Sequence, residues 1–188
     1  MLQAAAESLM NDDAAWVKKF REQSSQIPAG NALQVATKII GFFEGFRADP
    51  YKCPAGVWTI GYGSTFYPNG HAVGPDDAAI TKEQAEQYMV SVLQKSFIPY
   101  LQKIPTWSQM NADQQAAIMS FAYNLGANFY GDTSNFGTIT KALSSKENWS
   151  DVPRALLLYV NPGSSFEAGL RKRRTAEGEL WQGKGQFA

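Results

Sequence analysis

Between Asn31 and Gly74 the apolar pattern changes its period, and that change limits the architecture more than any other feature of the chain. Leu33, Ala36, Ile40 and Phe43 form one helical stripe, and Val35, Ile39, Phe42 and Phe46 form its neighbour. Two adjacent apolar stripes predict a mostly buried helix, with Asn31 as its N-cap and Glu44 at its C-terminal end. From Pro50 onward Gly, Pro, aromatic and β-branched residues take over, and Val57-Trp58-Thr59-Ile60-Gly61-Tyr62 reads as a strand. Pro68-Asn69-Gly70 marks a turn, so a small antiparallel sheet is expected in this region.

The remainder reads as helices. Thr81 with Gln84, and Asn111 with Gln114, carry the capping-box spacing that opens a helix. The first leads into Ala85, Tyr88, Met89, Val92 and Phe97 at helical spacing, and the second into a helix that Gly126 ends. Further helical segments are expected at Phe136 to Leu143, Val152 to Tyr159 and Ala168 to Trp181. The sum is an α+β fold: a small sheet lobe followed by a larger helical body. Upstream, Asp12 or Asp13 caps a segment with Trp16, Val17 and Phe20 on one face, and Ser24, Ser25, Pro28 and Gly30 break it. Residues 1–30 are therefore read as an N-terminal helical appendage with a linker, and residues 31–188 as the catalytic domain.

Composition excludes several classes. Seventeen basic and seventeen acidic side chains cancel, so no global field draws the chain to nucleic acid or an anionic membrane. A single cysteine, Cys53, and a single histidine, His71, form neither an internal disulfide nor an all-Cys/His zinc site. No metal and no cofactor are expected. The first residues lack a basic segment followed by a long apolar run, and no stretch approaches the ~20 apolar residues of a membrane span. Neither a signal peptide nor stable membrane insertion is expected. Carboxylate chemistry gains weight as a result. A carboxylate at a helix C-terminus faces the negative end of the dipole, which favours its protonated form, and a protonated carboxylic acid is what glycoside cleavage requires.

The stretch from Glu44 to Thr65 adds specificity. Glu44-Gly45 ends the helix, eight residues separate Glu44 from Cys53, five more separate Cys53 from Thr59, and the strand reads Thr59-Ile60-Gly61-Tyr62-Gly63. This resembles the signature of the phage-type lysozymes, the T4-like endolysins of glycoside hydrolase family 24, in a variant with Cys in place of the more familiar Asp. Ser120-Phe121-Ala122-Tyr123-Asn124-Leu125-Gly126 and Gly169 to Trp181 resemble two helices of that family's larger lobe, and the resemblance spans residues 35–182.

The resemblance implies a lysozyme-like fold with the active-site cleft between the lobes, and a muramidase that cleaves bacterial peptidoglycan and lyses the host. It implies Glu44 as general acid, Cys53 at the position of the Asp, and Thr59 as the residue that positions water. It also implies a chain that accumulates in the host cytoplasm and is released through a holin lesion. A monomer is expected. The family places an Arg near its catalytic Glu, for which Arg171 is chosen, with Arg174 three residues on along the same helix face. Lys172 and Arg173 are read as a solvated surface, Arg173 pairing with Glu177. The Asn124 amide either caps its helix terminus or hydrogen-bonds an N-acetyl group of the substrate. Tyr62 points either into the groove or into the core. Cys53 has three open roles: thiolate stabiliser or nucleophile, partner of a Thr59-bound water, or structural floor of the cleft. The rival readings are a cell-wall amidase or peptidase using Cys53 with His71, a noncatalytic glycan-binding module, and a secreted bacterial toxin or effector with the same chemistry.

Overall fold

The computed structural model describes residues 31–184. The N-terminal appendage expected at residues 1–30 lies outside the described residues. Helix α1 (Ala32–Glu44) opens where the Asn31 side chain accepts a hydrogen bond from Leu33 N at 3.0 Å, and it buries Val35, Ala36, Ile39 and Ile40. Gly45 ends it at φ 74°, donating its N–H back to the Gly41 carbonyl. That left-handed geometry suits glycine and turns the chain directly into the sheet.

Strands β1 (Arg47–Lys52) and β2 (Trp58–Gly61) pair antiparallel, with Tyr51 opposite Thr59 and Lys52 opposite Trp58. Cys53 N donates to Val57 O at 2.9 Å and closes the loop between them. Single bridges, Ile60 with Ser64 and Phe66 with Ala72, extend the lobe, and Tyr67 N donates to His71 O around the expected turn. Gly61 has a φ of 65°, and a methyl there would meet the Ala85 Cβ at 2.9 Å. Gly61→Ala should therefore cost on the order of 3 kcal/mol through backbone strain and overpacking, read as a lower urea midpoint. An unchanged midpoint would contradict this packing.

Helix α2 (Lys82–Val92) starts at the Thr81–Gln84 capping box. The helical spacing predicted through Phe97 holds, but the segment Leu93–Phe97 widens into a π-helical turn before α3 (Ile98–Leu101). Pro99 explains the change, since it has no N–H with which to continue the ladder. Helix α4 (Ala112–Leu125) opens at the Asn111–Gln114 box, is buried from Ala116 to Ala122, and ends at Gly126 with φ 106°. Around it pack α1 and α7 (Glu167–Trp181), with α6 (Val152–Leu156) on the far side of α7 and α5 (Thr133–Ser144) beyond. Phe121 anchors this core with edge-on contacts to Phe129, Phe136 and Tyr159. Although α1 precedes the hairpin in the chain, it packs along α4 of the larger lobe. Its C-terminal residue, Glu44, is thereby carried to the junction of the two lobes. Among the described residues no helix is long and apolar enough to cross a membrane.

Candidate active site

Glu44 is the last residue of α1, its side chain 26% exposed, and its Oε1 accepts from Arg173 Nη1 at 2.7 Å. Arg173 is itself buried, its guanidinium 5.7 Å from the Phe43 ring centre. The hairpin supplies the facing wall. Tyr51 and Cys53 are two residues apart, Tyr51 pairs with Thr59, and strand alternation sets Tyr51 and Thr59 on one face. Thr59 is a buried side chain; its hydroxyl donates to Val57 O at 3.0 Å and lies within hydrogen-bonding reach of the less buried Cys53 sulfur. Backbone donors at Val57 and Ala55, with Thr59, hold the Cys53 thiol below its ordinary value against the opposing effect of burial. Burial pushes the Tyr51 phenol up, the Arg47 guanidinium opposes this, and the nearby charges of Glu44 and Cys53 add to it. Tyr51 thus sits within electrostatic reach of both groups, so the fold draws Glu44, Cys53 and Thr59 into one neighbourhood.

Tyr123 joins the lobes. Its hydroxyl donates to the Tyr62 carbonyl at 3.1 Å, and its ring stacks on Phe97. Burial, reinforced by Glu44, pushes its phenol far up and keeps it neutral. From Tyr123 a groove of about 680 Å³ runs between Phe66 and Tyr67 of the small lobe and Phe97 of the π-helical turn. Exposed aromatic faces of this kind stack on the apolar faces of sugar rings.

Several expected positions move. The pairing with Glu44 expected of Arg171 belongs to Arg173, because residues two apart on a helix point to nearly opposite sides. Arg171 instead lies exposed and pairs with Glu167 at 2.8 Å. The Arg173–Glu177 pair forms at 3.3 Å, but it is buried where a solvated surface was expected. Arg174 has no exposed surface, so it cannot touch substrate; its Nη2 donates instead to Asn124 Oδ1 at 3.0 Å. Tyr62 is a core ring, 3% exposed and packed against Gly41 and Phe46, which removes it from the groove wall. Asn124 is half-buried beside Tyr123. His71 is exposed in the small-lobe turn, its backbone bonded to Asn69 and Tyr67, while the sulfur of Cys53 has Val57, Ala55 and Thr59 as its hydrogen-bond partners. The Cys53–His71 dyad required of an amidase therefore does not form. Among the described residues no group of three or more His, Cys, Asp or Glu side chains could hold a metal ion.

Arg173, Glu177, Ser120, Tyr51 and Tyr123 were not singled out by sequence reasoning as site residues. For α7 the signal was present, since Arg173, Ala176, Glu177 and Leu180 recur at the spacing of a buried stripe.

A carboxylate on a buried helix end, facing a short hairpin beside an aromatic groove, defines a hydrolase of the lysozyme type. The profile of the phage lysozyme family matches residues 41–177, and the chain belongs to that family. It is 31% identical over 151 residues to an endolysin of Acyrthosiphon pisum secondary endosymbiont phage 1, covering 77% of this chain and 92% of the relative. It is 27% identical over 180 residues to the SAR-endolysin of Haemophilus phage HP1, covering 91% of this chain and 93% of that one. The active form of the P1 phage endolysin Lyz shares the fold with a TM-score of 0.60 at 24% identity, over 90% of this chain and 93% of its own. The protein is a lysozyme, and its substrate class is peptidoglycan.

Proposed function

We propose that this lysozyme is an endolysin muramidase, hydrolysing the β-1,4 bond between N-acetylmuramic acid and N-acetylglucosamine with Glu44 as general acid. The observation that carries this reading is the placement of Glu44 on the last turn of α1, part-buried and within electrostatic reach of Tyr51, the hairpin residue that pairs with Thr59 and lies near Cys53. Protonated Glu44 gives its proton to the leaving glycosidic oxygen as the C1–O bond breaks. Positive charge then spreads over C1 and the ring oxygen. A water held by the Thr59 hydroxyl and the Cys53 sulfur adds to C1 from the opposite face, and its proton leaves to the solvent of the open cleft. Inversion at C1 follows from attack on that face. The glycan strand lies along the aromatic groove past Phe97 and Tyr123. The Asn124 amide, next in the chain to Tyr123 and with its oxygen taken by Arg174, offers its NH2 to an N-acetyl carbonyl.

Digestion of purified peptidoglycan tests the bond. New reducing ends at N-acetylmuramic acid are expected. Reducing ends at N-acetylglucosamine would make the enzyme a glucosaminidase, and free amino groups without reducing ends would make it an amidase or peptidase.

A further inference from the structure

Glu177 is a carboxylate with no exposed surface, and the proposed chemistry does not use it. Its Oε1 accepts from Ser120 Oγ at 2.7 Å, Arg174 Nη2 at 3.1 Å and Arg173 Nε at 3.3 Å, and its Oε2 lies 3.0 Å from Arg174 Nε. Buried ion pairs of this sort are often no more stabilising than apolar residues of the same volume, so stability alone does not account for it. Geometry does. Arg173 spends its Nε on Glu177 and Ser120 and its Nη2 on the Ser120 carbonyl at 3.0 Å, which leaves Nη1 for Glu44. Arg174 shares Nη2 between Glu177 and Asn124. A guanidinium only donates, so Asn124 must turn its oxygen inward and keep its NH2 for other partners.

We propose that Glu177 is a positioning residue: one buried carboxylate that sets Arg173 against the acid Glu44 and Arg174 against the Asn124 amide. The proposal rests on the reading of Glu44 as proton donor. Removing the Glu177 charge would leave the guanidinium pair one charge more positive beside Glu44. The other titratable and charged groups on this side are Tyr51 of the hairpin, flanked by Arg47 and Cys53, and Tyr123 from α4. Both phenols are pushed upward by burial and stay neutral over the working range. The rings of Phe43 and Phe121 lie against the guanidiniums of Arg173 and Arg174 and carry no charge. Burial pushes the Glu177 carboxyl up, while Arg174, Arg173 and Ser120 pull it back.

The test is the pH–rate profile of peptidoglycan hydrolysis by the full chain carrying Glu177→Gln. The alkaline limb should move to lower pH, because the cluster beside the proton donor is then one charge more positive. At neutral pH kcat should fall about tenfold, and KM should rise severalfold as Asn124 loses its fixed orientation. A merely structural role would scale activity equally at every pH, so a profile superimposable on the wild type after scaling to folded protein overturns the proposal. Should Glu177→Gln not fold, Ser120→Ala replaces it, since it removes the hydroxyl that contacts both Glu177 Oε1 and Arg173 Nε and keeps every charge. The limb should then stay in place while kcat falls and KM rises severalfold, and kinetic constants equal to the wild type overturn the proposal. Glu44→Gln separates the two readings: an active Glu44→Gln enzyme defeats the donor assignment itself, whereas an inactive one beside an unshifted Glu177→Gln profile defeats only the positioning role.

Discussion

Glu44→Gln is expected to lower the rate of glycan hydrolysis by about 10²–10⁴-fold, equivalent to about 3–5 kcal/mol of transition-state stabilisation. Glutamine keeps the shape of the side chain, and its amide oxygen still accepts from Arg173 Nη1, the contact made at 2.7 Å in the native site. What it lacks is the proton that the leaving oxygen needs. Because the side chain is partly exposed at a helix end, the folded state should tolerate the change, and the thermal midpoint should stay close to that of the native enzyme. Reducing-end release and calorimetry on the same preparation separate the two effects. A variant that kept more than a tenth of the native rate would require another donor, and the donor role assigned to Glu44 would fail.

Much of the fold could be read from the chain because local signals and global packing agree there. Asn31, the Thr81–Gln84 box and the Asn111–Gln114 box open helices in the structure where their spacing places them. Within the hairpin Cys53 and Thr59 likewise come together, since the connection is short and its register leaves little freedom. The C-terminal helix is where reading failed, and the reason is physical. Arg173 and Glu177 occupy the apolar stripe with Ala176 and Leu180, but charged side chains were read as solvated. Charge decided against periodicity, and periodicity was the better guide. A charged residue on a buried stripe needs a partner of opposite sign, and here the opposite charges come from α1 and the same helix while α4 adds the neutral Ser120 and Asn124, a closure that only tertiary structure displays. Tyr62 failed for a related reason: alternation fixes which face a strand residue takes, but not which face is covered.

Cys53 and Thr59 carry the second large effect. If the pair holds the attacking water, Cys53→Ser should retain activity within a few-fold, because a hydroxyl at the same position can hold the same water. Cys53→Ala and Thr59→Ala should each lose on the order of 10²-fold, the scale expected when a reacting group is misplaced by about an ångström. Acidity makes the comparison sharper. The backbone N–H of Val57, with Ala55 and Thr59, holds the Cys53 thiol below its ordinary value, so the ionised fraction grows as pH rises and vanishes as pH falls through that lowered value. A mechanism that used the thiolate would lose rate on the acid side in the native enzyme, and Cys53→Ser would abolish that limb because serine does not titrate there. A mechanism that uses the pair only to position water predicts the same acid limb in both enzymes. Covalent catalysis is distinguishable again: attack by sulfur on C1 would leave a glycosyl thioether on Cys53 and retain configuration at C1. Detection of that adduct by mass spectrometry, or a Cys53→Ser enzyme as slow as Cys53→Ala, would overturn the water-positioning role and make the sulfur itself the reacting group.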